Sequence, residues 1–203
     1  MRGCANYLML VNTHPKDGVA TMLRMGPSST TALKNTQVTF DLTAQDAGYY
    51  TAPVPADTKY TVSGGIGTME GAKLNTTQAG TGTVTATLPT GGNASVQVKV
   101  LDQVDSLKVT KKGSSQALSS VTLKLDEQLA LSVTPTAGGT QPKSSPTSFQ
   151  YQVEGEIGTI TPDGVFTASG TPGATGKILV SYGSTTTTIQ VELGGAAPIK
   201  IED

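Results

Sequence analysis

VSGGIGTM at residues 62–69 returns as VEGEIGTI at residues 153–160. The echo extends in both directions from this stretch. Upstream, QVTFDLTA at 37–44 corresponds to QLALSVTP at 128–135. Downstream, TGTVTAT at 81–87 corresponds to TGKILVS at 175–181, and SVQVKV at 95–100 to TIQVEL at 188–193. A solenoid unit repeats every 20–50 residues or so, whereas this period of roughly 90 residues is the size of a small domain. The chain therefore reads as two copies of one module.

Within each copy the apolar residues alternate with polar ones. Val38, Phe40 and Leu42 are interleaved with Thr39, Asp41 and Thr43; Val96, Val98 and Val100 with Gln97 and Lys99. Val84 and Ala86 follow the same beat, as do Leu129, Leu131 and Val133, then Ile178 and Val180, then Ile189, Val191 and Leu193 in the second copy. A period of two places one set of side chains on each face of a strand and predicts antiparallel sheets with one wet side. Gly64-Gly65, Pro89-Thr-Gly-Gly92, Ala137-Gly-Gly139 and Pro162-Asp-Gly164 punctuate the strands as turns. Short strands at such spacing are the pattern of a sandwich or barrel. No segment carries a capped apolar stripe at helical spacing, so helix beyond a single turn is not expected.

Composition agrees. Aromatic residues make up 4% of the 203 positions, Trp is absent, and charged residues reach only 14%. Thr, Ser, Gly and Val favour strands and turns over helices. The net charge of −1 offers no basic face for nucleic acid. No apolar run approaches the ~18–20 residues that span a bilayer, so no membrane insertion is expected. The opening MRGCANYLMLVN holds a five-residue apolar stretch, shorter than the roughly 7–15 of a secretory leader, so no signal peptide is expected in it. A single Cys, Cys4, leaves no internal disulfide and no zinc cluster.

Candidate chemistry is sparse. His14 lies between Thr13 and Pro15 with no pairing motif and reads as a loop residue. Ser63-Gly-Gly-Ile-Gly67 lacks the Lys-Ser/Thr and the helix of a phosphate loop and reads as a turn. Asp41, Asp46, Asp57, Asp126, Glu127 and Asp163 are scattered, with no loop that assembles six to eight oxygens around calcium. Asp102 and Asp105 sit together at the joint between copies, where calcium binding is weighed against solvated linker charges; the latter is preferred because no third acid is near. Tyr49-Tyr50 offers a sugar-stacking pair, but alternation favours one ring in the core and one in water. No residue is assigned to catalysis, to a cofactor or to a metal, and no cofactor is expected.

Ile66-Gly-Thr-Met69, Ala72-Lys-Leu-Asn-Thr76 and Ala79-Gly-Thr-Gly-Thr-Val84, with Ile157-Gly-Thr-Ile160, Gly164-Val-Phe-Thr-Ala168 and Ala174-Thr-Gly-Lys-Ile178 in the second copy, resemble bacterial immunoglobulin-like (BIG) repeats. The resemblance implies an all-β chain of two tandem immunoglobulin-like β-sandwich domains. The apolar residue after Gly-Thr would pack inward, and the Gly before the Thr/Val strand would open a tight corner. Ala5-Asn-Tyr-Leu-Met-Leu-Val11 and Leu23-Arg-Met-Gly-Pro-Ser28 resemble the exit from the catalytic domain of bacterial phosphodiester glycosidase-family proteins into an immunoglobulin-like module, departing from it at Cys4 and Tyr7, and AGYYTAPVPAD at 47–57 resembles a segment of that module. None of that family's active-site residues has a counterpart here.

The expected organisation is a tail of an upstream domain at 1–19, sandwiches at 20–101 and 102–194, and a linker toward a downstream module at 195–203. Leu101-Asp-Gln-Val-Asp105, short and without Gly or Pro, predicts a stiff joint and an end-to-end rod. The resemblance implies an exported protein at the bacterial cell surface or cell wall, with this region as a non-catalytic spacer. Its partners would be other modules of the same polypeptide, and possible cell-wall glycan. Two alternatives follow from the same resemblance: a carbohydrate-binding or adhesin module, and the accessory end of a phosphodiester glycosidase whose catalytic domain lies elsewhere.

Overall fold

The computed structural model describes residues 18–195. Expectations that fall on other residues, including His14, Cys4, most of the upstream tail and the IKIED end, lie outside the described residues. Among the described residues, eighteen strands and one 3-10 turn, Pro146–Ser148, make up the regular structure.

The first copy contains β1 (Met22–Gly26), β2 (Ser29–Leu33), β3 (Gln37–Thr39), β4 (Asp41–Gln45), β5 (Thr51–Ala52), β6 (Lys59–Val62), β7 (Gly67–Glu70), β8 (Lys73–Thr76), β9 (Gly80–Thr87) and β10 (Asn93–Leu101). One sheet has the order β2-β10-β9-β6. The opposing layer is formed by β1-β4-β5 and β3-β8-β7, with β3 and β4 separated only at Phe40. The second copy contains β11 (Ser106–Lys111), β12 (Ser120–Leu123), β13 (Gln128–Thr136), β14 (Gln150–Glu154), β15 (Gly158–Ile160), β16 (Val165–Ala168), β17 (Thr175–Tyr182) and β18 (Thr185–Leu193). Its sheets, β12-β18-β17-β14 and β11-β13-β16-β15, follow the order of the first copy with two differences. β13 answers to β3 and β4 together, and β5 has no equivalent. Both copies carry the same parallel pair among antiparallel ones, β2 with β10 and β12 with β18. The first strand thus serves one sheet and then crosses to the other. These are two immunoglobulin-like β-sandwiches in tandem.

The alternating residues face inward as their period requires. Val38, Phe40, Val84, Val96, Val98 and Val100 form one core, and Leu129, Leu131, Phe166, Ile178, Val180 and Ile189 belong to the other. The repeated Ile-Gly-Thr motif turns out to work through its first residue. Ile66 and Ile157 are fully buried, whereas Met69 and Ile160, expected to be the inward residues, only lie against the edge of each core. The reason is visible in the facing strand. A Cβ at Gly82 would lie 2.2 Å from the Ser63 carbonyl oxygen and 2.8 Å from Ile66 Cδ1. At Gly176 the same distances, to Glu154 O and Ile157 Cδ1, are 2.4 and 2.9 Å. The glycine leaves the space that the isoleucine fills, so the motif and the Thr/Val strand are two halves of one packing unit.

Candidate functional site

A cluster of polar contacts lies where the two sandwiches meet. The chain leaves β10 at Leu101 and enters β11 at Ser106. Leu101, Gln103, Val104 and Asp105 of this short passage are each held by hydrogen bonds. The Tyr182 hydroxyl donates to the Leu101 carbonyl and accepts the Lys34 backbone N–H at 2.9 Å. Gln103 Oε1 accepts both the backbone N–H and the hydroxyl of Ser184, each at 2.9 Å. The Val104 carbonyl accepts the Thr185 hydroxyl at 2.6 Å, and Val104 is itself buried. Asp105 donates its N–H to the Thr136 carbonyl and accepts the Gly138 N–H at 2.7 Å on its carboxylate.

A second connection, remote in sequence, runs beside it. Leu33 donates its N–H to the Lys143 carbonyl, and Lys143 donates its own to the Thr31 carbonyl, both at 2.8 Å. β2 of the first sandwich therefore pairs in parallel with a loop of the second, at Ala32 and Lys143. Leu33, fully buried, joins the hydrophobic cluster of the second sandwich, with Leu101 packed against it. Phe149 and Tyr182 of that cluster meet edge to face with ring centroids 6.2 Å apart.

Beneath this seam is a chain of buried hydroxyls. Thr76 Oγ1 accepts the Thr36 N–H at 3.0 Å and lies 2.7 Å from the Leu33 carbonyl, which accepts its proton. Ser148 Oγ accepts the Ser145 N–H at 2.9 Å and donates to the Asn35 carbonyl at 3.2 Å. Its one proton being spent there, the 2.9 Å contact with Thr36 Oγ1 has the threonine as donor. Thr36, Thr76 and Ser148 are all buried; the Thr36 and Ser148 hydroxyls satisfy one another, while that of Thr76 is satisfied by backbone groups of Leu33 and Thr36. Ser148→Ala leaves the Thr36 hydroxyl and the Ser145 N–H without this acceptor. An expected loss of about 1–3 kcal/mol follows, measurable as a lowered urea midpoint at unchanged m-value.

Burial holds the Tyr182 hydroxyl above its ordinary pKa of 10.0, and the charge of Asp102 adds to the rise against the opposing Lys34 N–H. Burial, then Asp163, pushes Tyr151 up to about 12. A tyrosine whose pKa is raised on folding supplies stability that is complete below the unfolded value and lost as pH climbs through the folded one. Stability is therefore expected to fall between pH 10 and about 12 as Tyr151 ionises, and the Tyr182 donor at the joint, whose pKa is also raised, is lost in the same direction. Urea midpoints measured alongside tyrosinate absorbance check this.

Asp102 and Asp105 do come to the joint, but in different roles. Asp105 caps the Gly138 N–H, while Asp102 is exposed beside Tyr182. No group of three or more His, Cys, Asp or Glu gathers among the described residues. No helix among them is long and apolar enough to cross a membrane.

The tyrosine pair departs from expectation. Tyr49 is 73% and Tyr50 46% exposed, so neither ring fills the core. Asp46 is the cause. Its Oδ1 accepts the N–H groups of Gly48 and Tyr50 at 2.8 and 3.1 Å. The tight turn puts Tyr49 at φ +67° and breaks the alternation. The core beneath is closed by the small pair Ala44 and Ala52, cross-strand partners on β4 and β5.

No family model and no curated protein matches the chain. Among solved structures it is similar to domains 5-6 of the S-layer protein SbsC, with TM-score 0.41 and 15% identity over 89% of this chain and 100% of that one. It is also similar to FdeC, an adhesin of Escherichia coli, with TM-score 0.33 and 16% identity over 90% of this chain and 66% of that one. A SusE-like surface-located polysaccharide-binding protein of Bacteroides thetaiotaomicron gives TM-score 0.32 and 10% identity over 89% of this chain and 35% of that one.

Proposed function

We propose that this chain is a non-catalytic, rigid spacer of a larger exported bacterial surface protein, setting the distance and the relative orientation of what it joins. The observation that carries this reading is the joint. Flexible linkers between domains leave backbone groups to water. Here the passage from Leu101 to Asp105 is tied by hydrogen bonds to the second sandwich, and Lys143 of the second sandwich is tied by its backbone to β2 of the first. A buried side chain, Leu33, crosses from one sandwich into the core of the other.

The sheet topology suits the same role. β2 lies parallel to β10, and β12 parallel to β18. In each sandwich an early strand and the last strand run the same way, so tension along the chain pulls them past one another. Their ladder bonds are then loaded together rather than one after another. Single-molecule pulling of the chain tests this. High-force events, one per sandwich, are expected; extension at low force without resolved events would overturn the spacer reading. As a spacer, the chain should also turn over neither aryl N-acetylglucosaminides nor sugar phosphodiesters. Turnover that survives repurification would refute a non-catalytic role.

A further inference from the structure

Two depressions on the second sandwich share a wall. The larger, of about 540 Å³, follows the edge strand β14 past Gln150, Tyr151, Gln152 and Thr161. The smaller, of about 220 Å³, lies at the joint among Lys34, Asn35, Asp102 and Tyr182. Gln150 and Ser181 line both. These two residues are direct cross-strand partners, and Thr186 continues the same row across the sheet. The two depressions therefore form one track, from the β14 edge to the seam between the sandwiches.

The chemistry of the track is that of a neutral, hydroxyl-rich ligand. No ionised side chain lines the larger part. At the joint Lys34 and Asp102 oppose one another in sign. The remaining polar groups are glutamines, serine and threonines, able both to donate and to accept; Thr161 alone among them is engaged in its own turn, donating to Asp163 and accepting the Val165 N–H. Tyr151, Ile160, Pro162 and Leu179 add apolar surface between them, the mixture that covers the edges and faces of a sugar ring. An anionic ligand would find no net counter-charge along this path.

The first sandwich is an internal control. In the register of the sheets, Gln150 and Ser181 of the second copy stand where the first has Lys59 and Thr87, and Thr161, next after Ile160, corresponds to Glu70, next after Met69, in the sequence repeat. Tyr60 stands in the place of Tyr151. The framework and the aromatic are common to both, while a cation and an anion of the first copy are replaced by an amide and a hydroxyl in the second. We propose that the track binds a linear, uncharged oligosaccharide, long enough to run from β14 to the joint. The inference rests on the fixed joint for the placement of Asn35 and Lys34 opposite Gln150, and is independent of any spacer role.

The test is an amide-resolved NMR titration of the full chain with chitohexaose, cellohexaose and maltohexaose. Hexagalacturonate and an extended Thr-Val hexapeptide serve as charged and peptide controls. At least one neutral hexasaccharide is expected to shift Gln150, Gln152, Ser181 and Asn35 at millimolar concentration or below, about tenfold more tightly than its disaccharide. The single variants Gln150→Lys, which installs the residue of the first sandwich, and Gln152→Lys should each weaken binding by about tenfold or more with Tm unchanged. Gln152 lines only the larger depression, away from the joint, so the effect of Gln152→Lys separates this site from any failure of joint rigidity. No shift with any neutral hexasaccharide, equal binding of the galacturonate or the peptide, or full binding by both variants would each overturn the proposal.

Discussion

Leu33→Ala is expected to destabilise the second sandwich although the residue belongs to β2 of the first. Leu33 is fully buried and packs in the cluster that contains Val104, Phe149 and Tyr182. Truncating a buried leucine costs about 2–5 kcal/mol, the larger values arising where the surroundings cannot close on the cavity. Here they are held on one side by the Lys143 bridge and on the other by Tyr182, whose hydroxyl is fixed between Leu101 and Lys34. Relaxation is therefore limited and the upper half of that range applies. Thermal unfolding followed at Tyr182 and at Tyr60 should show both sandwiches affected. Leu125→Ala, at a position 41% exposed, is the control, with an expected effect within about 0.5 kcal/mol. A Leu33→Ala protein that melts like the parent would show that this side chain does not couple the two halves.

The second large effect is expected at Gly176. Its backbone is ordinary strand, so alanine is refused for steric reasons rather than conformational ones. The new methyl would sit 2.4 Å from the Glu154 carbonyl oxygen and 2.9 Å from Ile157 Cδ1. Glu154 ends β14 and Ile157 is fully buried, so neither can retreat without opening the sheet or the core. Overpacking costs about 1–3 kcal/mol where a core can adjust; with a backbone oxygen as the obstacle, Gly176→Ala should reach or pass the top of that range. Gly82→Ala repeats the experiment in the first copy, where the methyl would lie 2.2 Å from the Ser63 oxygen. Denaturant titrations of the two variants should give similar losses. Gly173→Ala is a different case: nothing lies within 4 Å of its Cβ position, and only its φ of +85° resists substitution, so a smaller loss is expected.

Most of the architecture was legible because it is written in local periods. Val96-Gln97-Val98-Lys99-Val100 alternates without a break and lies in β10 with its valines buried. The repeat of Ile-Gly-Thr located equivalent strands in both copies before any pairing was known. What was not legible depends on contacts between distant segments. Leu101–Asp105, short and without Gly or Pro, predicts a stiff joint. The hydrogen bonds of Thr36, Lys143, Ser148 and Tyr182 around it come from residues remote in sequence that carry no motif. Leu33 reads as one more apolar strand residue; only the fold reveals that it belongs to its neighbour's core. The tyrosine pair was misread for the opposite reason. A side chain–backbone turn at Asp46 overrode an alternation that the flanking strands obey. The neutral track was equally hidden, since Gln150, Ser181 and Thr186 lie on three strands.

The central claim is that the two sandwiches keep one fixed orientation. Residual dipolar couplings of the backbone amides in a dilute aligned medium measure this directly. A single alignment tensor should fit strands of both sandwiches, β9 and β10 as well as β17 and β18, with no loss of magnitude in either. Two tensors of different magnitude, or one sandwich averaged relative to the other, would contradict a locked joint.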